Sequence, residues 1–293
     1  MSQLNNFELG ELFRDLRLAR GLKMKDIANE HLSQSQLSKF ENGQTMLSAD
    51  KLLIAISAIH MSLAEFEQAY HQYESSSFFK LAQKVAKYHS KKDIKGLENI
   101  LYTYDKFTES NDTYNQLNKL VIHCAIHNLN QDYFISKKDT ELITTYLYSI
   151  EEWTEYELFI FGNTLQILSD EDLIFLAKAF TKRESIYLSI PNNRHRAQLV
   201  HLNIIFTLLE RQLFCDANYF IIQLEKLLDS QDMFVKTILM FLRMVLNYQE
   251  GENNIKNIEN YIFSLKNFGY IEIADFLEEN LQFPPGIYFP LPI

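Results

Sequence analysis

Ser33-Gln34-Ser35-Gln36-Leu37-Ser38-Lys39-Phe40-Glu41-Asn42-Gly43 reads as a short helix that its own apolar content cannot hold. Ser33 is a strong N-cap, and Gln36, three residues on, completes a capping box. Leu37 and Phe40, three apart, supply one narrow apolar edge. Gln34, Ser35, Gln36, Ser38, Lys39 and Asn42 fill the remaining positions, and Gly43 suits the C-terminal stop. A helix this polar must lean on neighbours and turn its other side to a partner.

The neighbours are legible on both sides. From Phe7 to Arg20 apolar residues recur at 9, 12, 13, 16 and 19, a helical stripe, with Arg14, Arg17 and Arg20 on the other side and Gly21 as the stop. Lys23 to Glu30 predicts a second short helix with Ile27 and Ala28 inward, and a tight turn through His31-Leu32 leads to the Ser33 cap. Ser48 caps a fourth helix with Leu52, Leu53, Ile56 and Ile59 inward, and Leu63 to Tyr70 makes a fifth. Short helices in this order, the second and third joined by a tight turn, form a helix-turn-helix arrangement.

The ordered residues are specific. The run Leu12-Phe13-Arg14-x-Leu16-Arg17-x-x-Arg20-Gly21, then Asp26-Ile27-Ala28, the Ser33–Gly43 segment, and Leu52-x-x-Ala55-x-x-x-Ile59-His60-Met61-x-x-x-Glu65-Phe66 resembles the phage-repressor (Cro/cI, XRE-type) DNA-binding domain. Its wording is most similar to the Rgg-type regulators of streptococci and relatives. The resemblance implies that the third helix enters the major groove of double-stranded DNA, with Gln34, Ser35 and Gln36 on base edges. Arg14, Arg17, Lys39 and Asn42 would then sit over phosphates. Many repressors carry Gln where this chain has Met24, which leaves Lys25 as the substitute contact. Local alternatives stand beside these roles: Arg17 can pair with Asp15 or Glu41, and Gln36 can spend its amide on the capping box.

Charge is distributed to match. The net charge is −10, yet residues 1–60 carry seven of the 28 basic and seven of the 38 acidic side chains, so the remainder holds the whole excess. Only the N-terminal segment is electrostatically tolerable to DNA. A length of 293 residues exceeds one core, since single cores stop growing near ~250–300 residues. Only 8 Gly and 5 Pro accompany 47% hydrophobic residues, which favours long helices with short connections. No stretch approaches the ~18 consecutive apolar residues of a membrane span. The N-terminus lacks a basic region followed by an apolar run, so a cytoplasmic protein without a membrane partner is expected. Cys124 and Cys215 are expected as free thiols.

The expected organisation is all-α: a helix-turn-helix domain over 1–66, a linker over 67–76 and a helical-repeat domain over 77–293. Helices are predicted at 77–89, 94–108, 112–129, 138–151, 155–168, 170–182, 195–213, 216–229, 232–249, 254–267 and 270–281. Thr154-x-x-Glu157 and Ser169-x-x-Asp172 read as capping boxes, Ser230 precedes another apolar run, and 283–293 reads as an extended apolar tail. Overlaying helices at a 40-residue spacing aligns Leu120, Ile160, Val200 and Met240, and also Ala125, Leu165, Ile205 and Val245. Such a period indicates an α-solenoid of tetratricopeptide-like helix pairs, although that repeat usually runs ~34 residues and its consensus is absent.

The same overlay aligns the polar residues His123, Asn163, Asn203 and Arg243, and, seven earlier, Gln116, Tyr156, Arg196 and Lys236. A polar stripe along a solenoid is expected to line its concave side. Asn163 and Asn203 suit a peptide backbone, because an amide both donates and accepts. Arg196, Lys236 and Arg243 suit a carboxylate, with His123 and Tyr156 on the same face. Phe159, Phe161, Phe206 and Phe241 are candidate walls of apolar pockets. Against this stands a purely internal role at helix ends. The Rgg resemblance implies control by a short signalling peptide (quorum sensing) and a homodimer formed through the C-terminal region. The alternative is a regulator without peptide, whose repeats only dimerise or contact other proteins such as RNA polymerase. A further rival is an interaction scaffold that does not use its helix-turn-helix.

No Gly-rich phosphate loop, GxSxG or CxxC pattern occurs, and acidic residues are scattered over helices, so no enzyme and no cofactor is expected. His123, Cys124 and His127 have a ligand-like spacing, but no fourth ligand accompanies them.

Overall fold

The computed structural model describes residues 6–70, 77–107, 112–182 and 191–281, and every regular element among them is helical. The chain divides into two compact units, Met1–Lys80 and Leu81–Ile293. The tail expected over 283–293 lies outside the described residues.

The first unit holds α1 (Asn6–Ala19), α2 (Met24–Ile27), α3 (Gln34–Glu41), α4 (Ala49–Ala58) and α5 (Leu63–Tyr70). Its core gathers Phe13, Ile27, Leu32, Leu37, Phe40, Ile56, Ile59 and Phe66. The Phe13 ring lies 5.9 Å from Phe40 and 6.4 Å from Phe66, centroid to centroid. Leu37 and Phe40 are fully buried. Two such side chains contribute roughly 3–6 kcal/mol of burial, against about 1 kcal/mol for a good N-cap. Helix α3 is therefore held by its neighbours and started by its cap.

Two expectations need correction here. Helix α2 stops at Ile27, three residues short of Glu30, because the Asn29 side chain accepts from the His31 and Leu32 N–H groups and bends the backbone into a turn. Leu53 is half exposed, and Ala55 takes its place on the buried stripe with Ile56 and Ile59. Gly43 ends α3 at φ +68°, where its N–H bonds the Phe40 carbonyl.

From Leu81 onward come the rest of α6 (Ser77–Ser90), then α7 (Ile94–Phe107), α8 (Thr113–Leu129), α9 (Lys137–Ser149), α10 (Glu155–Gly162), α11 (Asp170–Lys182), α12 (Pro191–Glu210), α13 (Phe214–Leu227), α14 (Met233–Gln249), α15 (Ile255–Asn267) and α16 (Ile271–Asn280). Helix α12 is the axle of this unit. It packs against α10, α13 and α14, and residues 197–209 are buried on every side. The 40-residue period is written into the bonds that join successive helices. Tyr156 reaches Asn118 across 38 positions, Gln166 the Cys124 carbonyl across 42, Asn203 the Gly162 carbonyl across 41, and Arg194 reaches Asp232 across 38.

Departures from expectation have local causes. The helix expected over 155–168 breaks at Gly162 and resumes as a 3-10 turn over Leu165–Ile167, because Asn163 and Thr164 side chains take the Phe159 and Ile160 carbonyls. Helix α12 starts at Pro191, four residues early, where proline suits the first helical position. Thr154 and Glu157 form the expected capping box, but Asp232, not Ser230, occupies the cap position of α14. Met240, aligned with three buried residues, is 57% exposed.

Candidate nucleic-acid interface and the polar face of the repeats

Helix α3 is fixed by two devices. At its start the Ser33 hydroxyl accepts from the Gln36 N–H at 3.2 Å, while Gln36 Oε1 accepts from the Ser33 N–H at 3.1 Å. At its end Glu41 is buried against Arg17 of α1, with Nε to Oε1 and Nη2 to Oε2 both 2.7 Å. Arg17 Nη1 also donates to the Leu22 carbonyl at 2.6 Å, so the guanidinium ties α1, the following turn and α3 together. Hydrogen bonding to Glu41 raises the Arg17 pKa despite burial.

This geometry corrects one assignment. Arg17 is 4% exposed and bidentate to Glu41, so it is not a surface phosphate contact. Arg14, Lys25, Gln34, Ser35 and Lys39 are exposed, and Gln36 is half-buried. Asn42 is exposed at the C-cap and donates to the Ser38 carbonyl at 2.9 Å. Met24 packs against the domain core instead of supplying a polar contact. What α3 leaves outward is a short strip of amides, hydroxyls and one lysine, the functional groups that read base edges and phosphates.

In the second unit the predicted stripe mostly joins helix to helix. Asn163 is 3% exposed and its amide donates to Phe159 O at 2.5 Å, which corrects its assignment to a peptide backbone. Asn203, equally buried, donates to Gly162 O at 3.3 Å, so its amide holds main chain, but of this same molecule. Arg196 pairs with Glu155 at 2.7 Å and Arg243 with Glu225 at 2.6 Å, while Lys236 is exposed. His123 Nδ1 lies 2.6 Å from the Tyr133 hydroxyl. The Tyr156 hydroxyl lies 3.1 Å from Asn118 Oδ1, and burial pushes its pKa up. Phe159, Phe161, Phe206 and Phe241 are all buried core, not pocket walls.

Cys124 is fully buried and burial pushes its thiol pKa up, so it is a poor ligand beside His123 and His127. Among the described residues no cluster of three or more His, Cys, Asp or Glu is placed to hold a metal ion. No described helix is long and apolar enough to cross a membrane.

Comparison with known proteins explains the pairing of these two units. Residues 101–279 match the C-terminal domain of the helix-turn-helix-type transcriptional regulator Rgg, and residues 8–69 match a helix-turn-helix domain. The chain belongs to the Rgg family. It is thus a DNA-binding transcriptional regulator by family and not an enzyme. The fold of this Rgg-family chain matches the SHP pheromone receptor Rgg2 of Streptococcus dysgalactiae at 22% identity and a TM-score of 0.78, over 93% of this chain and 98% of that one. It matches PrgX, solved in complex with cCF10, at 16% identity and a TM-score of 0.70, over 94% and 99%. A bacterial peptide pheromone/receptor complex matches at 17% identity and 0.68, over 94% and 98%.

Two residues of this Rgg-family chain went unread in its sequence. At Gly10, in α1, an added Cβ would stand 1.9 Å from the Phe40 carbonyl oxygen, so α1 and α3 approach as only glycine permits. A glycine inside a helix carries a cost of about 1 kcal/mol, and that oddity was the available signal. Arg211 donates to the carbonyls of Leu165, Gln166 and Leu168 and so satisfies the turn that follows α10. No local pattern announces that role.

Proposed function

We propose that the chain is a sequence-specific regulator whose DNA binding is controlled by a short signalling peptide. Two copies present α3 to major-groove half-sites of an imperfect palindrome, about 34 Å apart. A peptide held by the helical repeats selects between two arrangements of the pair, by binding one more tightly than the other. This is a cytoplasmic, quorum-sensing role.

One observation carries the DNA half: α3 turns Gln34, Ser35 and Lys39 to solvent while the buried Arg17–Glu41 pair fixes it from behind. The peptide half is supported by family membership and by the likeness of the whole fold to receptors solved as pheromone receptors or complexes. Of the stripe residues, Lys236, Arg243, Arg196, Tyr156 and His123 remain the candidates for the peptide. A peptide-independent regulator is the second reading, favoured by the Asn163 and Asn203 amides already serving carbonyls of their own chain.

The test is fluorescence anisotropy of the full-length protein on DNA selected from a random pool, with short apolar peptides from the genomic neighbourhood titrated in. Salt-dependent binding that a saturable peptide shifts supports the proposal. Specific DNA binding that no candidate peptide alters selects the second reading, and absence of specific DNA binding removes both.

A further inference from the structure

We infer that Gln36 reads the operator as a donor only, so that each half-site carries a base presenting acceptors alone, guanine or thymine, opposite it. The inference rests on the proposed function and deepens it.

The argument starts from the capping box. Gln36 Oε1 accepts from the Ser33 N–H at 3.1 Å and lies 3.3 Å from the Ser33 hydroxyl, so both carbonyl lone pairs face the cap. The orientation of the amide is not open to a flip: a backbone N–H has only a proton to give, so the atom facing it must be the oxygen. The amide nitrogen makes no hydrogen bond to any described residue, and the side chain is half-buried rather than covered. Gln36 therefore leaves two N–H donors and no acceptor for anything beyond the protein. Two residues away, Gln34 is exposed, and neither its carbonyl nor its amino group bonds a described residue.

The major-groove code turns this asymmetry into specificity. Adenine is recognised by an amide that accepts from N6 and donates to N7 together, which Gln34 can do and a capped Gln36 cannot. Guanine offers two acceptors, N7 and O6, and thymine offers O4; cytosine shows only the N4 amino donor. A donor-only Gln36 matches the first two and meets cytosine donor to donor. Two glutamines on one short helix thus read different bases because one is tied to the cap.

Gln36→Glu tests this without disturbing the cap, since glutamate is an equally good partner for the Ser33 box. The substitution turns donor into acceptor at a single place. Sites selected from a random pool by the full-length wild type and variant are compared. The expected result is one position in each half-site changing from guanine or thymine to cytosine, with a preference on the order of tenfold, the low end of a good base contact. Unchanged helicity and unfolding midpoint would accompany it. An identical preferred sequence at every position would overturn the inference, leaving Gln36 as a cap alone.

The added charge could instead weaken all binding. The wild type is therefore also titrated against its selected site with the assigned guanine replaced by 7-deazaguanine, which lacks N7, and separately by 2-aminopurine, which lacks O6, or with the assigned thymine replaced by a base lacking O4. A loss of about fivefold or more supports the donor contact, and none refutes it. Failure of the wild type to select any sequence would strike the proposed function itself, a separate result.

Discussion

Breaking the Arg17–Glu41 pair is the sharpest test of how the DNA-binding unit is held. The two side chains are 5% and 1% exposed and share two bonds of 2.7 Å. Removing one partner strands a buried charge and costs about 3–5 kcal/mol. Small domains have total stabilities of roughly 5–15 kcal/mol, so Glu41→Gln or Arg17→Met should leave α3 close to its unfolding threshold. Replacing both, as Arg17→Met with Glu41→Leu, strands no charge and orphans only the Leu22 carbonyl, a loss of about 1 kcal/mol. The double variant is therefore expected to be more stable than either single variant. The only tryptophan, Trp153, lies in the second unit, so the measurement is hydrogen exchange of the 34–41 amides. DNA binding supplies the second arm. Each phosphate contact contributes about 0.9 to the slope of log affinity against log salt. Arg14→Ala should lower that slope by about one unit per domain, and the folded double variant should leave it unchanged. If the double variant folds yet loses a unit of slope, Arg17 sits on a phosphate and the reasoning fails.

Three further outcomes are expected. Gly10→Ala pushes a methyl group toward the Phe40 carbonyl, costing about 2–3 kcal/mol of overpacking against a helix-propensity gain of ~1 kcal/mol; exchange protection of α3 should fall and DNA affinity with it, and unchanged affinity would show that α1 and α3 can part freely. His201 is buried and held near pH 4 by desolvation, below its unfolded value near 6.5, so its stabilising contribution is present above pH 6.5 and is lost as pH falls toward 4. Trp153 stacks on Phe180, whose ring lies 4.7 Å from His201, so urea unfolding followed by Trp153 fluorescence should show roughly 2 kcal/mol more loss between pH 7 and 5 in wild type than in His201→Gln; equal losses would refute it. Both polar atoms of the Gln198 amide are buried without a partner among the described residues, so Gln198→Met should raise stability by about 1–3 kcal/mol, whereas a lower midpoint would reveal a hydrogen bond to that amide in solution.

The helix-turn-helix was legible because its signals are local. Ser33, Gln36 and Gly43 mark the ends of α3 through bonds spanning three residues, and Leu37 and Phe40 declare its buried edge. Arg17 was misplaced by reading it with Arg14 and Arg20 as one exposed set. It follows Phe13 by four positions, as Phe13 follows Leu9, so it stands on the buried stripe of α1. Glu41 likewise follows Leu37 by four. Two opposite charges, each ending an apolar stripe with helical spacing, predict a buried pair, and that rule needed no structure.

The repeats show the complementary failure. The 40-residue overlay had the register right to within two residues: Asn203, for one, was aligned with Asn163 and bonds the carbonyl of Gly162. What the overlay could not carry was direction, because it treats every aligned position as the same face of an unbroken helix. Gly162 breaks α10, and a break in a buried helix leaves carbonyls that some neighbour must satisfy. Asn163 and Thr164 satisfy two of them locally; Asn203 of α12 and Arg211, just past its end, satisfy others. Polar residues recurring at the repeat spacing are therefore first the means of joining one repeat to the next, and a ligand surface only where the side chain also reaches solvent. On that criterion Asn163 and Asn203 leave the proposed peptide site. Lys236, which is exposed, and Arg243, whose side chain is 38% exposed beside Glu225, become its most informative positions. Charge reversal at either should weaken anisotropy-measured binding of a peptide through its carboxylate without loosening the joints between repeats, and unchanged affinity would remove both residues from the proposed site.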